Sequence, residues 1–251
     1  MSSVLGKILS KLFLKKILKP NKKPFCSAVI AAAGSGERMG GTDKIFVPLC
    51  GEPVILWTIR AFENCDAVRE IVLVVRSEKI PDAAKLCKDA GIKKVSVVVS
   101  GGKTRAESVL RGINEVSEKA DLVAIHDGAR PLVTGEVITT AIEKARTCGA
   151  AVPMVPLSDT VKKHKDGYVT HTPDRGEFCC VQTPQVFDYD MIRGVLTSAA
   201  ENGWELTDDA SAVEKSGIAV ALTRGSHRNI KITTPEDLLF AEAVLSGRMG
   251  I

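Results

Sequence analysis

Ala28-Val29-Ile30-Ala31-Ala32-Ala33-Gly34-Ser35-Gly36-Glu37-Arg38-Met39-Gly40 is an apolar run that breaks into glycines, and Lys44 follows shortly after. The run reads as a buried strand. Glycines at its end let backbone N–H groups approach a ligand closely and point at it. With an arginine and a lysine beside it, such a loop makes a concave site suited to several phosphates. Taken alone, the stretch reads equally well as a tight turn flanked by surface basic residues. The rest of the chain has to decide.

Outward from it, short apolar runs alternate with helical patterns. Residues 26–32, 71–75, 95–99, 121–126 and 150–155 read as strands, and residues 53–64, 81–90, 105–118 and 135–147 as helices. In the third helix Ala106, Val109, Leu110, Ile113 and Val116 share one face. Strands that are apolar almost throughout are buried on both sides, as in a parallel sheet covered by helices. The pattern predicts an α/β fold with a doubly wound, mostly parallel Rossmann-like sheet, whose ligands bind at the carboxyl ends of the strands. Between residues 156 and 187 the alternation lapses. Leu157 to Lys163 reads as a strand, Asp166-Gly167 as a turn, and Tyr168 to Thr172 as a returning strand. The result is a protruding β-hairpin arm, spanning about 157–180, on a single domain of residues 25–251. A two-stranded hairpin is marginal by itself and needs something to pack on.

Of the 34 lysines and arginines, seven lie in residues 1–24, where there is no acid, so 27 face 30 acids over the remainder. The basic character belongs to an N-terminal extension, and the body carries no nucleic-acid footprint. Within the extension Leu5, Ile8, Leu9 and Leu12 recur at helical spacing among Lys7, Lys11 and Lys15, and Pro20 and Pro24 mark a linker. The segment is too short and too charged to span a bilayer, and the interleaved lysines are unlike a secretory signal. It reads as an interfacial helix making weak peripheral contact with anionic lipid, as a helix packing on the body or a partner subunit, or as a disordered extension. The seven cysteines are scattered without a CxxC pair, which suits a reducing cytoplasm better than a disulfide framework or a zinc site.

Three more segments stand where strands should end. Gly101-Gly102-Lys103-Thr104-Arg105-Ala106-Glu107-Ser108 leads from a strand into a helix and offers backbone groups and the Ser108 hydroxyl to a base edge. An ordinary strand-to-helix turn explains its glycines but not its arginine. In His126-Asp127-Gly128-Ala129-Arg130-Pro131, Asp127 is placed to accept from a sugar hydroxyl or a metal-bound water, or else to pair with Arg130. His126 reads as a packed strand residue rather than a catalytic base. In Asn229-Ile230-Lys231-Ile232-Thr233-Thr234-Pro235-Glu236-Asp237, Thr234 caps a helix with Pro235 at its first position and acids in the first turn. That leaves Lys231, on a short strand, as a cation for the same edge.

The ordered set resembles the 2-C-methyl-D-erythritol 4-phosphate cytidylyltransferase family over about residues 25–245. The resemblance rests on residues 32–39, Lys44, Arg105 to Ser108 and His126 to Pro131. It continues through Asp159-Thr160, His171 to Arg175, Thr183-Pro184-Gln185, Thr207 to Ser211 and Asn229 to Lys231. It implies transfer of CMP from CTP to the phosphate of 2-C-methyl-D-erythritol 4-phosphate, releasing pyrophosphate, in non-mevalonate isoprenoid precursor synthesis, with Mg²⁺ bound alongside CTP. By the same resemblance Arg38 and Lys44 stabilise the triphosphate and the transition state, while Arg175 and Lys231 hold the attacking phosphate. Ala32, Ala33, Gly34, Ser35 and Gly36 would bind the nucleotide, as would Gly102, Lys103 and Ser108 at the cytosine and Asp127 at a hydroxyl. Arg130, Thr160 and Thr183 would lie near the second substrate. A homodimer with shared sites is implied, the arm carrying Thr160 and Arg175 into the neighbour. Two departures stand out: Asp43-Lys44-Ile45 replaces the usual proline and glutamine around the lysine, and Lys103 stands where an acid is common.

Two rivals stay open. A ribitol-phosphate or related sugar-phosphate cytidylyltransferase uses the same loop and cations. An NADP-dependent oxidoreductase would use Gly34, Gly36 and Gly40, with Arg76 for a 2′-phosphate. Gly34 and Arg76 are 42 residues apart, however, whereas the dinucleotide unit spans roughly 30.

Overall fold

The computed structural model describes residues 23–34 and 45–247. Of the amphipathic extension expected over residues 1–24, residues 1–22 therefore lie outside the described residues, as do Ser35, Gly36, Arg38 and Lys44. Within them the chain runs β1 (Cys26–Ala31), β2 (Pro48–Leu49), β3 (Glu52–Pro53), α1 (Val54–Glu63), β4 (Val68–Val75), α2 (Ile80–Asp89), β5 (Val95–Ser100), α3 (Arg105–Asn114), β6 (Leu122–Asp127), α4 (Gly135–Cys148) and β7 (Ala150–Pro156). The arm is β8 (Lys163–Lys165) and β9 (Tyr168–His171). After it come β10 (Cys179–Val181), β11 (Gln185–Asp188), α5 (Tyr189–Glu201), α6 (Asp209–Lys215), β12 (Ala221–Arg224) and α7 (Pro235–Leu245).

β1 sits in the middle of the main sheet, parallel to β4 on one side and β6 on the other, and β4 is parallel to β5. β11 runs antiparallel between β6 and β7. β10 pairs antiparallel with the end of β7, and β12 runs parallel to it. Alternate residues of each central strand feed two separate cores. Ala28 and Ile30 of β1, with Ile71, Leu73 and Val75 of β4, pack under α1, α2, α4 and Ala241 of α7. Val29, Val72 and Val74 pack on the other face under α3, α5 and α6. Residues 71–75 are all fully buried. At about 1.5–3 kcal/mol per buried aliphatic side chain, this run on both faces is what fixes the doubly wound arrangement.

Local signals set the helix ends. Thr104 and Thr134 accept from the amides of Glu107 and Val137 as N-caps, each worth about 1 kcal/mol. α4 stops at Gly149, whose φ of 85° is left-handed. Thr234 and Asp237 form a reciprocal capping box at α7, as the sequence predicts.

Three expectations need correction. Residues 157–162 are not a strand: they lie alongside no ladder partner, and Ser158 to Thr160 are exposed, so the hairpin begins only at Lys163. α3 ends at Asn114 instead of 118, although Val116 still reaches the core. Lys231 is on no strand; its extended segment is held instead by the Ile232 N–H donating to the Ala129 carbonyl (2.8 Å). The Asp166-Gly167 turn is as expected, with φ of 51° and 83°, the backbone a two-residue hairpin turn requires.

Candidate active site

The carboxyl ends of β1, β5 and β6 meet at one edge of the sheet, and small residues let their loops close on one another. A Cβ added to Gly101 would fall 2.3 Å from the Ala33 Cβ, and one added to Gly128 would fall 2.8 Å from the Ala32 Cβ. Only glycine allows these approaches. The Gly128 N–H donates to the Ala31 carbonyl and the Ala32 N–H to the Val74 carbonyl (2.8 and 2.7 Å). The floor under Ala32, Ala33 and Gly34 is therefore tied to two neighbouring strands.

Across from it, the loop after β5 is shaped by its own helix. The Gly102 N–H donates to Ser108 Oγ (3.0 Å), Ser108 Oγ donates to the Thr104 carbonyl (2.8 Å), and the Lys103 N–H donates to Glu107 Oε2 (2.8 Å). Gly102 and Ser108 are thus brought together on one loop. The side chain of Lys103 is exposed, which suits a position used through its backbone.

Asp127 closes β6, and three cations converge on its carboxylate. Oδ1 accepts from Arg105 Nε (3.2 Å). Oδ2 takes Arg130 Nε at 3.4 Å and Lys231 Nζ at 3.0 Å. Burial pushes this carboxyl up, but Arg105, Lys231 and Arg130 together outweigh it and hold the group well below the usual carboxylate range. Arg130 is fixed in turn, its Nη1 donating to the Asn229 carbonyl (2.7 Å). The fold thus brings the distant Lys231 onto the same carboxylate that Arg130, three residues on from Asp127, already pairs.

Beneath Asp127 a neutral chain links three residues. The Asp127 N–H donates to Thr183 Oγ1 (3.2 Å), and that hydroxyl lies 2.9 Å from His126 Nδ1. His126 Nε2 is 3.3 Å from the Arg130 carbonyl. A carbonyl only accepts, so Nε2 carries the hydrogen and Nδ1 accepts from Thr183. Burial, against the pull of Asp127, lowers the imidazole from 6.5 to about 3. His126 is a packed neutral link, as the sequence reading has it. Thr183 is buried with its hydroxyl committed in both directions, holding the Asp127 amide from below.

The arm residues sit apart from this group. Thr160 is exposed, and Arg175 Nη1 donates to the Ser158 carbonyl within the arm. Two residues with no assigned part do join it. Arg105 also places Nη1 2.9 Å from Oδ2 of the buried Asp209. Their signals lay in the sequence: Arg105 is the residue a plain turn left unexplained, and Asp209 is a second acid after Asp208, where capping needs one. Among the described residues no cluster of three metal-ligating side chains is present.

A glycine-floored edge, a shaped loop opposite it and converging cations at the ends of parallel strands define a nucleotidyltransferase of the α/β class. The 2-C-methyl-D-erythritol 4-phosphate cytidylyltransferase family profile matches residues 26–247. The chain is 42% identical over 225 residues to the enzyme of that name from Alkaliphilus oremlandii, covering 88% of this chain and 95% of the relative. It is 44% identical over 219 residues to the one from Dehalococcoides mccartyi, covering 87% and 95%. The crystal structure of 4-diphosphocytidyl-2C-methyl-D-erythritol synthase from Anaerococcus prevotii superposes with a TM-score of 0.80 at 30% identity, covering 89% of this chain and 97% of that one. The Thermus thermophilus enzyme gives 0.74 at 32%, covering 87% and 98%. The chain belongs to the 2-C-methyl-D-erythritol 4-phosphate cytidylyltransferase family. Of the three readings left open by the sequence, these relatives favour the first.

Proposed function

We propose that the sheet edge around Asp127 is where this protein joins CTP to 2-C-methyl-D-erythritol 4-phosphate, releasing pyrophosphate, in isoprenoid precursor synthesis. The observation that carries this reading is the meeting of Arg105, Arg130 and Lys231 on Asp127, next to the glycine floor. An oxygen of the polyol phosphate attacks the α-phosphorus of CTP. The bond from that phosphorus to the oxygen bridging toward the β-phosphorus breaks, and pyrophosphate leaves with the electron pair. The nucleophile is already an anion, so no general base is needed, and the neutral His126 is consistent with that. What the chemistry needs is removal of repulsion between two polyanions, in-line alignment, and stabilisation of charge at the α-phosphorus.

Backbone amides from Ala32 through Gly36, with Arg38 and Lys44, cradle the triphosphate. Gly102, Lys103 and Ser108 hold the cytosine, and Asp127 accepts from a hydroxyl. Lys231 is about one-third exposed and turns from Asp127 to the attacking phosphate, where Arg175 joins it. Arg130, Thr160 and Thr183 complete the second substrate's surroundings. Mg²⁺ bound with CTP would neutralise phosphate oxygens. Both oxygens of Asp127 already face cations, so the ion fits as one carried by the triphosphate and water, its common habit, not by a protein cage.

In this reading the arm carries Arg175 and Thr160 to the phosphate bound by a second copy. Tyr168 and Val169 at its tip are 80% and 63% exposed, and Phe178 and Val181 near its base are also exposed. Apolar residues so placed suit a homodimer with shared sites. A cytoplasmic location agrees with seven free cysteines. Among the described residues no helix is long and apolar enough to cross a membrane, and peripheral lipid contact would fall to residues 1–22. Pyrophosphate release from CTP with a panel of polyol phosphates tests the reading. Turnover is expected with 2-C-methyl-D-erythritol 4-phosphate, and a preference for ribitol 5-phosphate would overturn it.

A further inference from the structure

Asp209 is a buried carboxylate to which the reaction above gives no task. The start of α6 is satisfied without it. Asp208 Oδ1 accepts from the Ser211 N–H (2.9 Å) and Oδ2 from Gln185 Nε2 (2.7 Å), while the Ala210 N–H donates to Gln185 Oε1 (2.9 Å). Capping and docking of the helix are thereby complete. The Asp209 side chain is 1% exposed, and its Oδ2 has no directed hydrogen bond although Arg105 Nη1 lies 2.9 Å away. Burial raises its carboxyl and Arg105 opposes that. The residue is costly where it is, and Arg105 is its ion-pair partner among the described residues.

Arg105 forks between two carboxylates, with Nη1 toward Asp209 and Nε toward Asp127 Oδ1. On the opposite oxygen of Asp127, Lys231 at 3.0 Å is a closer partner than Arg130 at 3.4 Å. Lys231 is also the cation assigned to the incoming phosphate. The geometry points to Asp209 as a positioning residue that keeps Arg105 turned toward Asp127, so that Lys231 can pass to the substrate without releasing Asp127. This role presupposes that Lys231 binds the attacking phosphate. Arg105 is about one-third exposed, and an incoming triphosphate would otherwise draw it away. Asp127 would then have to retain Lys231 instead. A planar guanidinium can span two carboxylates in fixed directions, whereas an ammonium offers a point charge on a flexible stem.

Steady-state kinetics on the full-length enzyme, with a melting curve for every variant, tests this. Asp209→Asn and Arg105→Lys should each raise KM for the polyol phosphate about tenfold, the scale of one charge-assisted contact. KM for CTP should change little, and Asp209→Glu should recover most of the loss. If Asp209→Asn melts below the assay temperature, Arg105→Met combined with Asp209→Asn leaves neither charge buried alone and should show the same KM pattern. Wild-type KM for the polyol phosphate in folded variants, or equal loss for both substrates, would overturn the assignment and leave a plain ion pair between α3 and α6. Lys231→Ala is measured alongside. If it fails to impair use of the polyol phosphate, the site reading itself falls; if it impairs it while the Asp209 variants do not, only this inference does.

Discussion

Around Asp127 the bonds join elements far apart in the chain: α3, β6, the segment before β11, and the extended segment at Lys231. Along the arm they run between neighbours, Thr170 Oγ1 to the Lys163 carbonyl and Lys162 Nζ to Thr172 Oγ1. Every residue of β8 and β9 is exposed, while the carboxylate of Asp127 is 9% exposed. The contrast separates two ways of presenting a cation. The centre holds its charges by mutual pairing on one carboxylate, and the proposed reaction has one of them pass to the substrate. The arm holds Arg175 by the Ser158 carbonyl within the arm, and the proposed placement of that cation on a substrate calls for a second copy.

Lys231→Ala tests the centre most severely. It should cut kcat by about 10²–10³, the scale of one preorganised transition-state contact. Melting should be nearly unchanged, because Arg105 and Arg130 still pair Asp127. A collapse in melting temperature would mean the lysine is structural. Acid is the next probe. His126 is lowered in the folded state from 6.5 to about 3, so the native protein binds fewer protons than the unfolded chain between those values. Its stabilisation is complete above about pH 6.5 and is lost as pH falls toward 3, by an amount on the order of a few kcal/mol. The depressed carboxyl of Asp127 adds the same sign at lower pH. Melting temperatures followed from pH 7 to 4 should fall, with a shallower slope in His126→Gln; a flat profile would refute the neutral link.

Arg175→Ala should raise KM for the polyol phosphate about tenfold or more with no change in melting. An Arg175→Ala subunit mixed with an Arg38→Ala subunit should regain activity if sites are shared, and no recovery on mixing would confine each site to one copy. Smallest of all, Tyr168→Ser with Val169→Ser should weaken self-association by about tenfold or less in sedimentation at low concentration. An unchanged sedimentation profile would leave the arm without its second copy.

The sequence exposes the central architecture because β1, β4 and β6 are buried on both faces, and continuous apolar runs such as Ile71 to Val75 carry that signal without tertiary knowledge; β5, at the sheet edge, is apolar but only half-buried. Lys231 was legible as the residue that the cap of α7 left unexplained, and Asp127 and Arg130 as a pair at a strand end whose plain pairing stayed an alternative. Arg105 stood out only as a residue a plain turn left unexplained and Asp209 as a second acid, and neither was assigned, because a buried ion pair between segments a hundred residues apart has no periodicity to join them. β11 and α5 also escaped. Gln185–Asp188 is too short to show a strand period, and α5 begins immediately at Tyr189 with no loop to announce it. The arm's turn was readable from Asp166-Gly167, but its length was not, because only a ladder partner decides where a strand starts.

The antiparallel strand β11 is wedged between β6 and β7, though it comes later in the chain than either. During synthesis those two strands emerge without their common neighbour, and the gap closes only once residue 188 has left the ribosome. Thr183, the acceptor for the Asp127 amide, arrives just ahead of that strand. A partly made chain can therefore bury most of its apolar sheet and still have no finished charge centre, so binding competence comes late in biogenesis.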